Sequence, residues 1–203
     1  MILHDQKLIY IHVPKTAGRS VEKAFAFEIV PRRSIDDPFG VREVLRESEK
    51  HLPAAVLQRS FPDAFASYYK VGFVRNSWDR IVSAYFWLRA SCNLRRGFKD
   101  WVMQDFVDTP PRERNIFVEP YQLDWLTDED GNIIVDYIGR FEKLTQSFSE
   151  VCDHIGAVNV KLPHCNKTEH EHYSTYYDAE TRDRIAKRYE KDNQFFGFEF
   201  ESL

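Results

Sequence analysis

The run Leu8-Ile-Tyr-Ile-His-Val13 breaks at a proline into a short polar loop, Pro14-Lys-Thr-Ala-Gly-Arg-Ser20. Helix-forming sequence, Val21-Glu-Lys-Ala-Phe-Ala-Phe27, follows at once. No other stretch constrains the fold as tightly. A buried strand that turns through glycine and hydroxyl residues into a helix leaves backbone N–H groups converging on one point. Such a point suits a phosphate or a related anion. Lys15 supplies a cation there, while Thr16 and Ser20 add hydroxyl donors. The ordinary phosphate loop, G-x-x-x-x-G-K-[ST], sets its lysine after the second glycine. Here Lys15 precedes Gly18, the loop's only glycine. That order points away from ATP and GTP.

The rest of the chain alternates strand and helix patterns. The first strand is read over Leu8–Val13, with a helix from about Gly18 to Glu28 and a loop over Pro31–Gly40. A charged helix follows over Val41–Lys50 and a second over Pro53 to about Phe61. Tyr69–Arg75 reads as a strand entering a turn. From Ser77 the period becomes helical, with Trp78, Ile81, Val82, Tyr85, Phe86 and Leu88 on one face and Ser77 and Asp79 marking the start. Asp128–Asn132 is a turn, Ile133–Ile138 a third strand, and Thr145–Ile155 and Ala179–Asp192 further helices. Strands alternating with helices predict a single α/β domain over residues 1–203, its central, mainly parallel sheet covered on both faces. Ligands bind such sheets beyond the C-terminal strand ends, so Lys15 and Arg75 are expected on that edge.

Composition narrows the partners. A formal net charge of −4 argues against a general nucleic-acid binder. Three cysteines, Cys92, Cys152 and Cys165, lack metal or redox spacing and cannot all pair with one another, which predicts reduced thiols in a cytoplasmic protein. No apolar run reaches the length of a membrane span, and the N-terminal residues lack signal-peptide character.

A second motif, Phe73-Val-Arg-Asn-Ser-Trp-Asp-Arg-Ile-Val-Ser83, ends a strand at Arg75 and sets Ser83 about two turns into the next helix. An arginine fork and a hydroxyl at that spacing can bracket a phosphate. Taken singly, Arg75 is an ion-pair residue and Ser83 a small packing residue. Taken with the first loop, they predict a ligand with two separated phosphate-like groups.

These residues carry a resemblance. His12–Ser20 resembles the 5′-phosphosulfate loop of sulfotransferases that use 3′-phosphoadenosine 5′-phosphosulfate (PAPS), and Phe73–Tyr85 resembles their 3′-phosphate motif. Gln122, Tyr137–Leu144, Asn166-Lys-Thr168, Tyr176-Tyr-Asp178 and Asp192–Phe198 also fit, so that the likeness runs through nearly the whole chain. The branch it resembles contains the Golgi carbohydrate sulfotransferases and their small bacterial relatives. The resemblance implies a P-loop-containing three-layer α/β/α fold and transfer of a sulfuryl group from PAPS to a carbohydrate hydroxyl, with no metal. Lys15, Thr16, Ala17, Gly18, Arg19 and Ser20 would cradle the 5′-phosphosulfate. Arg75 and Ser83 would hold the 3′-phosphate, and Lys167 would touch a phosphate from a loop over the donor. Lys15 would also stabilise the charge that grows on the oxygen between sulfur and phosphorus.

The acceptor hydroxyl must lose a proton, and histidine suits that role near neutral pH. His51 is the candidate base, since it lies between the two motifs, where the resembling enzymes carry a catalytic histidine; a solvent-exposed histidine at a helix end is the plainer alternative. His12 is a weaker candidate base, better suited to packing or positioning of the loop. Glu22 stays open as an alternative base, because some members use a glutamate.

Other features carry less. His164, Cys165, His170 and His172 lack the helical i, i+4 spacing of zinc proteases, which argues against a metal. Arg140 either orients the site or pairs with Glu142. Trp87, Arg89, Arg95, Arg96, Lys99 and Trp101 suit an anionic or sugar acceptor, or else a helix pair with an aromatic core and charged outer faces. Two competing functions remain: a P-loop nucleotide kinase or phosphotransferase, disfavoured because Ile133-Ile-Val-Asp136 is the nearest imitation of a magnesium-holding strand end, and a non-catalytic adenosine-bisphosphate-binding module.

Overall fold

The computed structural model describes residues 1–25, 42–43, 51–158, 160–163 and 170–202. In chain order its elements are β1 (Ile2–Leu3), β2 (Leu8–Ile11), α1 (Gly18–Ala24), β3 (Arg42–Glu43), α2 (Ala54–Ser60), α3 (Pro62–Ser67), β4 (Tyr69–Val74), α4 (Ser77–Cys92), α5 (Phe98–Met103), α6 (Pro111–Phe117), β5 (Tyr137–Arg140), α7 (Leu144–His154), α8 (Ala179–Arg188) and α9 (Glu190–Phe196). They fall into two compact units, one of residues 1–74 and 124–166, the other of residues 75–123 and 167–203.

The first unit holds a sheet of order β3-β1-β2-β4-β5. Its longer strands β2, β4 and β5 run parallel, and the two-residue strands β1 and β3 add an antiparallel margin. Side chains alternate across a strand. Leu8, Tyr10, Val71 and Phe73 therefore share one face, where they pack with Val21 and Ala24 of α1, with Phe25 that caps it, and with Phe148, Val151 and Cys152 of α7. Ile9, Ile11 and Val74 point the other way and are equally buried. Burial on both faces is what the α/β reading requires. Close approach between strands needs a glycine: a Cβ on Gly139 of β5 would stand 2.6 Å from the Phe73 ring.

Several expected boundaries move, each for a local reason. β2 stops at Ile11 instead of Val13, because Val13 N–H turns back to the Ile11 carbonyl (3.0 Å) and Pro14 has no N–H to extend the ladder. The strand expected over Ile133–Ile138 joins the sheet only at Tyr137, opposite Val71. Before that, the Asp128–Asn132 turn folds Ile133 onto Thr127 in an isolated bridge. Residues 42–43, expected in a helix, extend the sheet edge alongside β1. The rest of the Val41–Lys50 helix, the Pro31–Gly40 loop and the α1 extension to Glu28 lie outside the described residues.

In the second unit, α4 starts as anticipated, but its cap is Asn76, whose side-chain oxygen accepts from Trp78 N–H. The apolar stripe Trp78, Ile81, Val82, Tyr85 and Leu88 is buried. The helix expected over Ala179–Asp192 breaks at Tyr189, whose buried ring sends its hydroxyl to the Val118 carbonyl. Trp101 is core, with its indole N–H donating to Thr109 Oγ1 (2.7 Å). Arg96 pairs with Asp108, and Lys99 pairs with Asp178 and Glu180. The plain account of this segment, aromatic core and charged outer faces, thus holds for these residues. Among the described residues no helix is long and apolar enough to cross a membrane.

Candidate active site

The loop after β2 is built on two left-handed residues, Lys15 (φ 69°) and Ala17 (φ 68°). Left-handed backbone at a residue with a Cβ costs on the order of 1–3 kcal/mol and persists only where the surroundings impose it. Here it curls the main chain so that the loop enters α1 with Ala17 as its cap. The Ala17 carbonyl accepts from Ser20 and Val21 N–H, and the N–H groups of Gly18 and Arg19 have no acceptor within the helix. Thr16 was expected to offer its hydroxyl to a ligand. Instead that hydroxyl donates to the Val13 carbonyl (2.8 Å) from a fully buried position, so the side chain braces the loop from beneath. Ser20 is buried, Lys15 half-buried and Arg19 exposed.

Gly18 serves this loop by what it lacks. A Cβ there would fall 1.8 Å from His12 Nε2, inside the buried imidazole. The ring cannot withdraw, since its Nδ1 is held by the Glu22 carboxylate at 2.8 Å. Gly18→Ala is expected to cost about 1–3 kcal/mol and to lower Tm by roughly 2–12 °C. Calorimetry checks this, and an unchanged Tm would refute the close packing.

The three base candidates read from the sequence meet at this point. His12 bonds Glu22, and the His51 ring lies against the His12 ring with centroids 4.3 Å apart. His51 Nδ1 stands 3.1 Å from the His12 main-chain oxygen. A carbonyl only accepts, so the proton sits on Nδ1 and the neutral imidazole carries its lone pair on Nε2. This bond ends on the main chain, so it does not itself link the two imidazole rings. Burial chiefly, then the nearby His12 charge, lower the His51 pKa to about 4, and Lys15 pushes the same way. His51 is therefore neutral at pH 7. Its contribution to stability is lost as pH falls from the ordinary histidine range toward 4, because the unfolded chain then takes up the proton first.

In the second unit, Arg75 follows β4 directly and is almost fully buried. Its Nε and Nη2 donate to the two carboxylate oxygens of Asp79 at 2.7 and 2.8 Å. Ser83 is buried on the same helix as Asp79. The Arg75 main chain is clasped by the Gln122 side chain, which accepts from Arg75 N–H and donates to the Arg75 carbonyl, both at 2.8 Å. The Asp192 carboxylate accepts in turn from Gln122 N–H (2.8 Å) and Leu123 N–H (3.0 Å). Sequence reading marked Arg75, Ser83 and Gln122 but missed the anchoring role of Asp192, which it read only as the end of a helix and the start of the family-like segment Asp192–Phe198. The His12–Glu22 bond also lacks a spacing signature.

The remaining candidates separate. Lys167, His164 and Cys165 lie outside the described residues. His170 bonds the Glu171 carbonyl and stacks on Phe86, while His172 caps the short turn at Tyr173–Tyr176. Both rings thus serve local structure.

A strand–loop–helix junction with a lysine ahead of its glycine, on an α/β sheet, differs from the ordinary nucleoside-triphosphate loop. The sequence model of the sulfotransferase family matches residues 1–199, and the chain belongs to that family. It is a transferase of sulfuryl groups. Among solved structures, a sulfotransferase from Alicyclobacillus acidocaldarius is similar over 96% of each chain, with 15% identity and a TM-score of 0.46. Comparison with curated proteins gave no significant match.

Proposed function

We propose that this chain transfers a sulfuryl group from PAPS to a hydroxyl of a carbohydrate or glycoconjugate acceptor. The observation that carries the reading is His51, neutral and with its lone pair on Nε2, held against the base of the loop that presents Lys15. The acceptor oxygen forms a bond to sulfur as the bond from sulfur to the bridging phosphate oxygen breaks. The hydroxyl proton passes to His51 Nε2, and the leaving 3′-phosphoadenosine 5′-phosphate takes the electron pair. Lys15 and the N–H groups at the start of α1 stabilise the charge on that leaving oxygen. Thr16, Ala17, Gly18, Arg19 and Ser20 shape the 5′ site; Arg75 and Ser83 take the 3′-phosphate, with Lys167 as a further contact. Glu22 is left as the partner of His12. Because Arg96 and Lys99 are already paired with carboxylates, they lend no support to an anionic acceptor, and a neutral sugar hydroxyl fits better.

Thermal shift with 3′,5′-adenosine bisphosphate against ATP, with and without magnesium, tests the donor. At about 100 times its dissociation constant the bisphosphate stabilises by roughly 2.7 kcal/mol, a Tm increase of about 5–10 °C. A larger increase with magnesium-ATP would overturn PAPS as donor.

A further inference from the structure

We propose that Gln122, anchored by Asp192, is the positioning residue that fixes Arg75 for the donor's 3′-phosphate; the inference rests on the donor reading given above. Gln122 is fully buried and joins both main-chain groups of Arg75, one as acceptor and one as donor. Only a side chain carrying a donor and an acceptor side by side meets both demands, which makes a primary amide the fitting choice. The clasp acts where the pairing of β4 with β5 ends, since Val74 opposite Arg140 is the last matched position. It supplies to Arg75 what a neighbouring strand would have supplied.

Gln122 is itself fixed. Its N–H and that of Leu123 close on the two oxygens of Asp192, which is fully buried. The charge facing that carboxylate belongs to Arg80, also fully buried, which donates to the Pro120 carbonyl (3.1 Å) and lies over the Tyr189 ring. Among the described residues, Arg80 Nε and Nη1 have no hydrogen-bond partner, so its guanidinium is placed by the Pro120 carbonyl and the Tyr189 ring. The buried carboxylate thus holds the Gln122 main chain, and the Gln122 amide holds the Arg75 main chain. Asp79 then directs the guanidinium. With its backbone pinned at both groups, Arg75 keeps only side-chain torsions, and Asp79 restrains those. Neither Gln122 nor Asp192 needs to touch the donor; both act through Arg75.

A merely structural role and this one differ in a ratio. Titration calorimetry with 3′,5′-adenosine bisphosphate and with 5′-adenosine monophosphate isolates the worth of the 3′-phosphate. In the wild type the bisphosphate is expected to bind roughly tenfold to a hundredfold more tightly, the worth of charge-assisted contacts. In Gln122→Glu, which loses the donor to the Arg75 carbonyl, and in Asp192→Asn, that preference falls to about threefold or less. Gln194→Glu, an exposed change of equal charge on α9, keeps it. Folded variants that retain the wild-type preference would overturn the inference and leave the donor reading intact, whereas a wild type without preference would overturn both. Amide hydrogen exchange on the wild type decides the matter even if the variants do not fold. Exchange at Arg75 N–H is expected to slow further with the bisphosphate than with the monophosphate, and equal slowing by the two would refute the coupling.

Discussion

Lys15→Ala lowers kcat for sulfuryl transfer by about 10²–10³-fold, the usual effect of removing one preorganised group aimed at developing charge. The expectation comes from where the lysine stands. It occupies a left-handed position in a loop braced from beneath by Thr16, so its ammonium is delivered by a fixed backbone. Alanine at the same φ keeps the loop and removes only the cation. Binding of the bisphosphate product should weaken less than turnover slows, because the charge on the bridging oxygen grows as the bond breaks. Single-turnover measurement with saturating donor separates the two effects. A variant within about tenfold of wild-type kcat would remove Lys15 from the chemistry.

His51→Ala lowers kcat by about 10²–10⁴-fold and leaves donor affinity close to wild type, as calorimetry with the bisphosphate would read. Full activity would refute the role as base. The pH profile adds a second test. With the free-protein pKa at about 4, the acid limb of kcat/KM for the donor falls near pH 4, below the ordinary histidine range. In the proposed reaction, donor binding sets phosphosulfate charge beside Lys15, one of the groups that lower the His51 pKa. The cation is then offset, the pKa rises, and the limb of kcat lies at higher pH than that of kcat/KM. A kcat limb at or below that of kcat/KM would contradict the arrangement.

The features legible in the sequence were those with local causes. The β2–loop–α1 junction is written in a proline, a glycine and a change of period, and α4 in the spacing of its apolar stripe. Proximity of His51 to the loop was legible only through resemblance, because its contact is with a main-chain carbonyl 39 residues away. The third strand was placed too early because Ile133-Ile-Val135 has the composition of a strand. Whether it pairs was decided by the Asp128–Asn132 turn, which folds Ile133 back onto Thr127. The break at Tyr189 was hidden because the sequence across it keeps a helical pattern, and the tertiary bond that accompanies it, from the Tyr189 hydroxyl to Val118, lies 71 residues away. Buried Asp192 was unreadable for the same reason, since its meaning lies in two N–H groups about 70 residues upstream.

The pairing of Arg75 with Asp79 bears on turnover. In the proposed reaction, the product left after sulfuryl transfer still carries its 3′-phosphate and its 5′-phosphate. A 3′ site with an unbalanced cation would hold this product firmly and slow its release. On the proposed donor reading, the Asp79 carboxylate partly offsets the guanidinium that receives the 3′ end, so the charge-assisted contact is kept while the phosphate departs against a smaller Coulombic restraint. In that reading the same carboxylate keeps Arg75 in its ion pair between one product and the next donor.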